Sequence, residues 1–251
     1  MSLMTTMPAA KLWFSEDGGD FHGNEPFYYN TDDYPWVKRI EANWTIIRDE
    51  LMALLDTDSI ALTPYANAEM TSRPGQWKTF GIMFWLNAIK ENCDKCPKTW
   101  SLLKDIPNIS SASFNLLEPH TTIKPHNGDT NAIIRCHMGI DVPAPAPKCA
   151  FRVGDEIRSW EEGKFLMFCD AHEHTAWNNS DRKRYILVVD VMRPQLTSRK
   201  RLTASRVLAS ISLAIWYQRA AWMKKYFSTR IGKAIMFRSL HLAIFTRFLF
   251  R

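Results

Sequence analysis

The segment that decides the fold reads ASFNLLEPHTTIKPHNGDTNAIIRCHMGI and covers residues 112–140. It holds two short apolar runs, at 112–117 and 132–140, with Pro, Gly, Asn and Asp between them. Residues of these four types interrupt regular structure and favour turns. We therefore predict two β-strands joined by a turn-rich connection at this point of the chain.

Three further apolar runs of the same kind follow, at 148–153, 163–169 and 184–191. The five runs start 15 to 21 residues apart, with no long helical pattern between them. Strands that follow one another without crossover helices form antiparallel sheets. We predict a mainly β fold, a double-stranded β-helix (jelly roll, cupin-like) whose two sheets enclose a pocket.

The sequence before this β region divides into an irregular part and a helical part. Residues 1–33 are rich in Gly, Asp and Asn, so no regular structure is predicted for them. Residues 34–56 are predicted to form a helix, because apolar side chains recur there at steps of three and four. Those side chains are Ile40, Trp44, Ile47, Leu51 and Leu54. A loop is predicted at 64–75 and a short helix at 98–105, whereas 79–90 fits strand or helix.

The last part of the chain, residues 195–251, differs from the rest in charge. It contains twelve Lys and Arg and no Asp or Glu, whereas residues 1–194 carry 20 basic and 26 acidic residues, a net of −6. A basic tail of this kind indicates an anionic partner. Because its apolar run at 207–216 is shorter than the roughly 20 residues that cross a bilayer, we predict amphipathic helices lying on an anionic membrane surface. The alternative is a solvated basic helix packed on the acidic body; no nucleic-acid-binding signature is present.

Cysteine usage and the N-terminal sequence bear on the compartment. The five cysteines are odd in number and irregularly spaced, unlike a disulfide framework. The N-terminus lacks the basic start and long apolar run of a secretory signal. The sequence thus predicts a cytoplasmic protein, peripheral at the inner face of the membrane through its tail.

Two histidines stand at predicted strand ends. His126 follows the first strand and its turn, and His174 follows the strand at 163–169. Strand-end histidines on neighbouring strands of a roll can converge on one metal ion. Imidazole binds iron, zinc, copper and nickel alike, so these ligands alone leave the metal open.

Several motifs in the β region share the spacing of a known family. They are PH followed after eight residues by RCHMG, then WEEGK, EHTAW and RYILVVDV. This pattern resembles the aspartyl/asparaginyl β-hydroxylase family of iron(II)- and 2-oxoglutarate-dependent dioxygenases, from about residue 114 to 194. A weaker likeness reaches back to the predicted helix. The resemblance implies that residues 34–194 form a dioxygenase domain using Fe(II), 2-oxoglutarate and O2.

The resemblance also implies how the metal is held. In that family two histidines hold the iron without a carboxylate, and they correspond to His126 and His174. Gly128 occupies the place where most non-haem iron oxygenases carry the carboxylate ligand, and water is expected there instead. The neighbouring acid is Asp129, which either reaches the iron or contacts only its water. His172, two residues before His174, is a second group that can lie behind the ligands.

The cosubstrate residues are carried over in the same way. Arg184 matches the family's arginine for the far carboxylate of 2-oxoglutarate, which a planar guanidinium can grip with two parallel hydrogen bonds. Arg135 and His137 match residues lining the cosubstrate and substrate pocket, and they share one face of a strand because they are two residues apart. Asn115 stands where the animal enzymes carry Ser.

The reaction implied is hydroxylation of a C–H bond with release of succinate and CO2. The basic tail favours a membrane lipid acyl chain as substrate. The alternative is an Asp or Asn residue in a peptide, protein or carrier-bound amino acid. A further alternative, of another class, is a non-catalytic cupin-like module that binds a metal or ligand.

Overall fold

The computed structural model describes residues 11–227 and 229–250. Its strands are β1 (Tyr28–Tyr29), β2 (Thr63–Pro64), β3 (Trp77–Phe84), β4 (Asn87–Ala88), β5 (Ile109–Leu117), β6 (Thr121–His126), β7 (Ile133–Asp141), β8 (Cys149–Val153), β9 (Glu156–Arg158), β10 (Phe165–Phe168), β11 (His174–Asn178) and β12 (Arg184–Met192). Its helices are α1 (Trp36–Ala42), α2 (Trp44–Asp56), α3 (Lys90–Lys95), α4 (Pro97–Leu103), α5 (Lys200–Arg219), α6 (Ala221–Phe227) and α7 (Arg230–Leu249).

The named strands form two antiparallel sheets. The larger sheet has the order β1-β10-β7-β12-β5-β3-β2, with β4 paired to β3, and the smaller has the order β6-β11-β8-β9. Apolar side chains of both sheets meet in one cluster, which includes Leu117 and Ile186 of the larger sheet and Phe151 and Ala176 of the smaller. This architecture confirms the predicted double-stranded β-helix.

The N-terminal helices cover the outer face of the larger sheet. Ile40, Ile47 and Leu51 are fully buried and pack against Ile134 and Leu187 of the sheet. The predicted helix at 34–56 is correct in place but is interrupted at Asn43, where the backbone leaves the helical region (φ −114°, ψ 13°). The Asn43 side chain donates a hydrogen bond to the carbonyl of Arg39 at 2.8 Å, a local bond that competes with helix continuation.

Alternation along the central strands sorts their side chains between two environments. In β7, Ile134, Cys136 and Met138 belong to the core beneath the helices. Arg135 and His137, the intervening residues, line a cavity between the two sheets. The ambiguous stretch at 79–90 begins within β3, so it is a strand, and then turns through Trp85 and Leu86, both with positive φ.

The tail is helical over its described part, with α5 packed against the body of the protein. Ala204 and Val207 of α5 share an apolar cluster with Trp85, Ile133 and other residues near one end of the larger sheet. Arg206 of α5 also forms ion pairs of 2.8 Å with both Glu16 and Asp17. Among the helices described, none is both long and apolar enough to cross a bilayer.

The predicted irregular segment at 1–33 is described only from residue 11. Between residues 11 and 33 it contains two short 3-10 turns and the two-residue strand β1. Residues 1–10 of that prediction lie outside the described part, as do residues 228 and 251 of the predicted tail.

Candidate active site

The two predicted metal ligands meet at one end of the smaller sheet. Strands β6 and β11 pair antiparallel with His126 directly opposite His174. The centroids of their imidazole rings are 4.2 Å apart. Strand pairing thus brings together two side chains that are 48 residues apart in sequence.

Both rings are held in the same way, by a backbone carbonyl two residues earlier. His126 Nδ1 lies 2.8 Å from the carbonyl of Lys124, and His174 Nδ1 lies 2.9 Å from that of His172. A carbonyl only accepts, so Nδ1 is the donor in each ring and Nε2 keeps its lone pair. Burial lowers the pKa of both histidines. Neutral rings with free Nε2 atoms are the form that binds metals.

A buried acid that the sequence reasoning missed lies beside this pair. Asp170 is 1% exposed, and its Oδ1 is 3.6 Å from His174 Nε2. A Cβ added to Gly128 would clash with Asp170 Oδ2. The carboxylate of Asp170 therefore fills the space into which a side chain at 128 would project. Its one signal in the sequence is an acid four residues before the predicted ligand His174.

Arg135 fixes the position of Asp170. Its Nη1 donates to Asp170 Oδ1 at 2.5 Å, while Nε and Nη2 donate to the two oxygens of Asp190 at 2.8 and 3.0 Å. Burial alone would lower the pKa of Arg135, but the two carboxylates raise it well above its usual value. Arg135 lines the cavity as expected, yet its hydrogen-bond donors are directed at these two acids.

The surroundings of Arg184 differ from those of Arg135. It is 1% exposed, its Nε has no hydrogen-bond partner, and the structure gives it no ion pair within the described residues. Its guanidinium lies 4.5 Å from the centroid of the Trp160 ring. Burial lowers the pKa of Arg184 to about 10, so it stays charged at neutral pH. A buried cation without a counterion fits an anionic ligand, above all a carboxylate.

His137 and Asn115 lie between the arginine and the histidine pair. The indole of Trp160 donates to His137 Nδ1 at 3.4 Å, and burial lowers the pKa of His137 well below its usual value. The remaining ring nitrogen of a neutral His137 is then a hydrogen-bond donor. Asn115 accepts a hydrogen bond from Trp77 Nε1 at 2.9 Å and donates one to Ser113 Oγ at 2.8 Å.

The two groups expected behind the ligands occupy different surroundings. Asp129 lines the cavity, where burial and then the charge of Asp170 raise its pKa to about 7. The ring of His172 packs between Phe21 and Phe27, with centroids 4.9 and 4.8 Å away. The backbone carbonyl of His172 holds Nδ1 of His174.

One cavity of about 580 Å³ is lined by all of the predicted site residues except His172. His126, His174, Arg184 and Asp129 contribute its polar lining, and Met83, Phe84, Ile211 and Ile215 part of its apolar lining. Within residues 11–227 and 229–250, no cluster of three or more His, Cys, Asp or Glu is arranged to hold a metal. The histidine pair, with Asp170 beside it, offers the donor atoms that a metal could use here.

A cavity with both polar and apolar lining between the sheets of a double-stranded β-helix places the protein among the cupin-like jelly rolls. The family model described as aspartyl/asparaginyl β-hydroxylase matches residues 41–194. The chain belongs to this hydroxylase family, as its motifs predicted.

Two curated relatives represent different branches. The ornithine lipid ester-linked acyl 2-hydroxylase of Rhizobium tropici is 37% identical over 175 residues, which cover 68% of this chain and 62% of the relative. The aspartyl/asparaginyl β-hydroxylase of Homo sapiens is 34% identical over 170 residues, 66% of this chain and 22% of the relative. The match therefore spans less than two thirds of either relative's length.

Solved structures that resemble the chain include a prolyl-4-hydroxylase from Pseudomonas putida and a predicted oxalate decarboxylase from Thermotoga maritima. The first has a TM-score of 0.43 and 13% identity, and covers 63% of this chain and 100% of its own. The second has a TM-score of 0.35 and 11% identity, and covers 53% of this chain and 94% of its own.

Proposed function

We propose that this chain is an iron(II)- and 2-oxoglutarate-dependent hydroxylase that acts on an acyl chain of a membrane lipid. The observation that carries the first half is the combination of two Nε2 atoms free for a metal and a buried, unpaired Arg184 in the same cavity. His126 and His174 would hold the iron, and Arg184 the far carboxylate of 2-oxoglutarate. Iron, 2-oxoglutarate and O2 supply the oxidising power, so that a C–H bond becomes C–OH while succinate and CO2 are released.

The remaining residues orient these groups. Asp170, fixed by Arg135, offers a carboxylate oxygen to a water bound beside the histidines, and Asp129 is a second acid near that position. His137 donates a hydrogen bond towards the cosubstrate, and Trp160 stacks on Arg184 and directs its guanidinium. Asn115 shapes the wall through its bond to Trp77.

Two observations support a lipid substrate. The relative named as an ornithine lipid acyl 2-hydroxylase is 37% identical to this chain, and the tail combines twelve basic residues and no acid with exposed apolar side chains. The exposed apolar residues of the tail are Trp216, Trp222, Tyr226, Phe227, Ile231, Ile235, Leu242, Leu249 and Phe250. Basic residues near an anionic membrane contribute about 1 kcal/mol each, so the tail would keep the protein peripheral at the cytoplasmic face.

The second candidate is β-hydroxylation of Asp or Asn in a peptide, protein or carrier-bound amino acid. The 34% identity to the human aspartyl/asparaginyl β-hydroxylase favours it. A non-catalytic cupin-like module fits less well, because a binding module has no evident need for a cation as deeply buried as Arg184. No nucleic-acid partner is proposed.

The experiment combines a spectroscopic and a catalytic readout. Fe(II) and 2-oxoglutarate are added to the protein without oxygen, and the visible charge-transfer band of the chelate is recorded. We expect the band in the wild type and not in His126→Ala, His174→Ala or Arg184→Ala. The matched controls are His120→Ala and Arg182→Ala, exposed residues of the same types that pair with Asp181 and Asp141. If the well-folded, iron-treated wild type gives no band, the hydroxylase proposal fails.

The substrate is tested separately by mass spectrometry after oxygen is admitted. Ornithine lipid in micelles and an Asp-containing peptide are supplied in parallel. Hydroxylated lipid supports the first candidate and hydroxylated peptide the second. A normal band with neither product would retain the cofactor assignment and overturn both substrate proposals.

A further inference from the structure

The tail helix α5 forms part of the wall of the candidate active site. Ile211 and Ile215 line the same cavity as His126 and His174. They are four residues apart and so lie one above the other on a single face of the helix. The cavity is therefore completed by a segment that lies beyond residue 194, where the match to the family model ends.

The register of the strands locates this helix relative to the reacting groups. Asp190 pairs with Ser111 on one side and with Arg135 on the other, so these three residues form one row across the larger sheet. Arg135 also holds the acid beside His174, so the metal end of the cavity lies near the Asp190 row. Arg184 begins β12 six residues earlier, and its guanidinium lies over the ring of Trp160, which packs beside His137.

The surroundings of that row are apolar towards α5. Met83 and Phe84 at the end of β3 line the cavity together with Ile211 and Ile215. A passage with these apolar walls suits a hydrocarbon chain better than a peptide, whose backbone would need hydrogen-bond partners.

The outer surface next to this passage has matching chemistry. Helix α7 packs against α5, with Phe248 of α7 in one cluster with Val207 of α5. The other faces of α6 and α7 expose apolar side chains, Trp222, Tyr226, Ile231, Ile235 and Leu242 among them, within a tail that has no acid. A lipid held by these helices would lie next to α5, the helix that carries Ile211 and Ile215.

We infer that Ile211 and Ile215, with Met83 and Phe84, form the acyl-chain subsite of this protein, so that the tail helix decides which chains reach the metal. This inference rests on the proposed lipid hydroxylase function and adds the residues that select the substrate. Chains would lie between α5 and the end of β3, and the metal end of the cavity would determine which carbon is presented.

The test changes the two isoleucines to glutamate. Ile211→Glu and Ile215→Glu place a charge in the passage, and Ala214→Glu places the same charge on an exposed position of the same helix. Binding of dibromostearate is measured by quenching of tryptophan fluorescence, since Trp77 and Trp85 line the cavity. Turnover is measured with long-chain ornithine lipid, and the charge-transfer band with 2-oxoglutarate reports on the metal site.

We expect Ile211→Glu and Ile215→Glu to weaken binding of dibromostearate about tenfold or more, because a buried unpaired charge is costly. We expect turnover of the long-chain lipid to fall by the same factor, while the charge-transfer band stays as in the wild type. Ala214→Glu should bind dibromostearate and turn over lipid as the wild type does. If either variant unfolds, Ile211→Asn and Ile215→Asn replace it. Variants that bind the chain normally overturn the subsite, as does an equal loss in Ala214→Glu.

The same measurements separate this inference from the proposed function. If the wild type hydroxylates no lipid but binds dibromostearate and loses it only in the isoleucine variants, the chain-binding subsite stands and the lipid hydroxylase proposal falls. If the wild type hydroxylates lipid and the isoleucine variants turn it over normally, the lipid hydroxylase proposal stands and the chain-binding subsite falls.

Discussion

Arg184 is a cation in an environment that disfavours cations. A guanidinium removed from water is costly unless an anion balances it, and the face of Trp160 offsets only part of that cost. Functional sites commonly retain such locally unfavourable groups because a ligand relieves them. Arg184 is therefore expected to lower the stability of the free protein and to strengthen binding of the cosubstrate.

Replacing Arg184 with Met is expected to stabilise the free protein and to weaken cosubstrate binding. The variant removes a buried charge but keeps a long apolar side chain, a type of change that adds about 1–4 kcal/mol in comparable buried sites. Affinity for 2-oxoglutarate falls about 100-fold, since the bidentate carboxylate contact is lost. Thermal unfolding and titration calorimetry measure the two effects. Arg182→Met, at an exposed position, is expected to change neither; a variant that is less stable than the wild type would contradict the assignment.

Asp129 makes the stability of the metal-free protein depend on pH. Its pKa is raised from 3.8 to about 7 by burial and by Asp170. A raised pKa means that the folded state holds the proton more tightly, so the stability that Asp129 contributes is present at low pH and is lost as pH rises through about 7. Asp129→Asn should therefore gain stability over the wild type as pH rises from about 5 to 7, and a constant amount above about 8. Thermal melts in chelator across this range test it; a gain independent of pH would refute the shift.

The sequence predicted His126, His174 and Arg184 as site residues because each belongs to a spaced motif. Asp170 was missed because a single acid between a strand and a histidine has no distinguishing pattern. What makes it part of the site is the approach of Gly128 from another strand connection, and such a contact is a property of the fold rather than of the local sequence.

At the scale of elements, the five apolar runs were predictable as strands, whereas β6, β9 and β11 were not. Those three belong to the smaller sheet, and their sequences, such as TTIKPH and HTAWN, are short and partly polar. Their pairing partners, not their composition, make them strands. The break at Asn43 was not predicted, because the apolar stripe continues through both helices.

We expect that the carboxylate beside the histidine pair can come either from position 128, in the connection after β6, or from position 170, in the loop before β11. Gly128→Asp alone should lower Fe(II) affinity about tenfold or more, because its Cβ displaces Asp170. The double variant Gly128→Asp with Asp170→Gly relieves the clash and returns an acid to the same space, so affinity should recover. Competition with a fluorescent chelator measures both; a double variant no better than the single would show that the two positions do not share that space.

At the scale of the whole molecule, the sequence predicted a basic tail joined to an acidic body, and the structure adds that α5 is docked on the body. The apolar cluster around Val207 includes Trp85, Ile133 and Met192. Deleting residues 195–251 would expose this cluster to water. We expect the deletion to lower the unfolding free energy by several kcal/mol at about 25 cal/mol per Å² uncovered, measured by denaturant titration. An unchanged midpoint would mean that the tail contributes nothing to the fold.

Membrane binding is therefore better tested by surface changes than by deletion. Ile231→Ser with Ile235→Ser removes two exposed apolar side chains of α7, and we expect binding to anionic vesicles to fall about tenfold with no change in thermal stability. The control is Ile157→Ser, an isoleucine on the smaller sheet that is also exposed. Residual binding should weaken as salt is added. Equal losses in both variants would exclude α7 as the binding surface.

The position of Ile211 and Ile215 has a consequence for how such proteins evolve and how they can be engineered. The helix that carries them also packs against the outward-facing helix α7, so an exchange of tails between two such proteins would carry part of the cavity wall with it. Residues that affect where the protein resides and residues that affect what enters its cavity lie within one short stretch of the chain. Mutations that change one of these properties therefore tend to change the other.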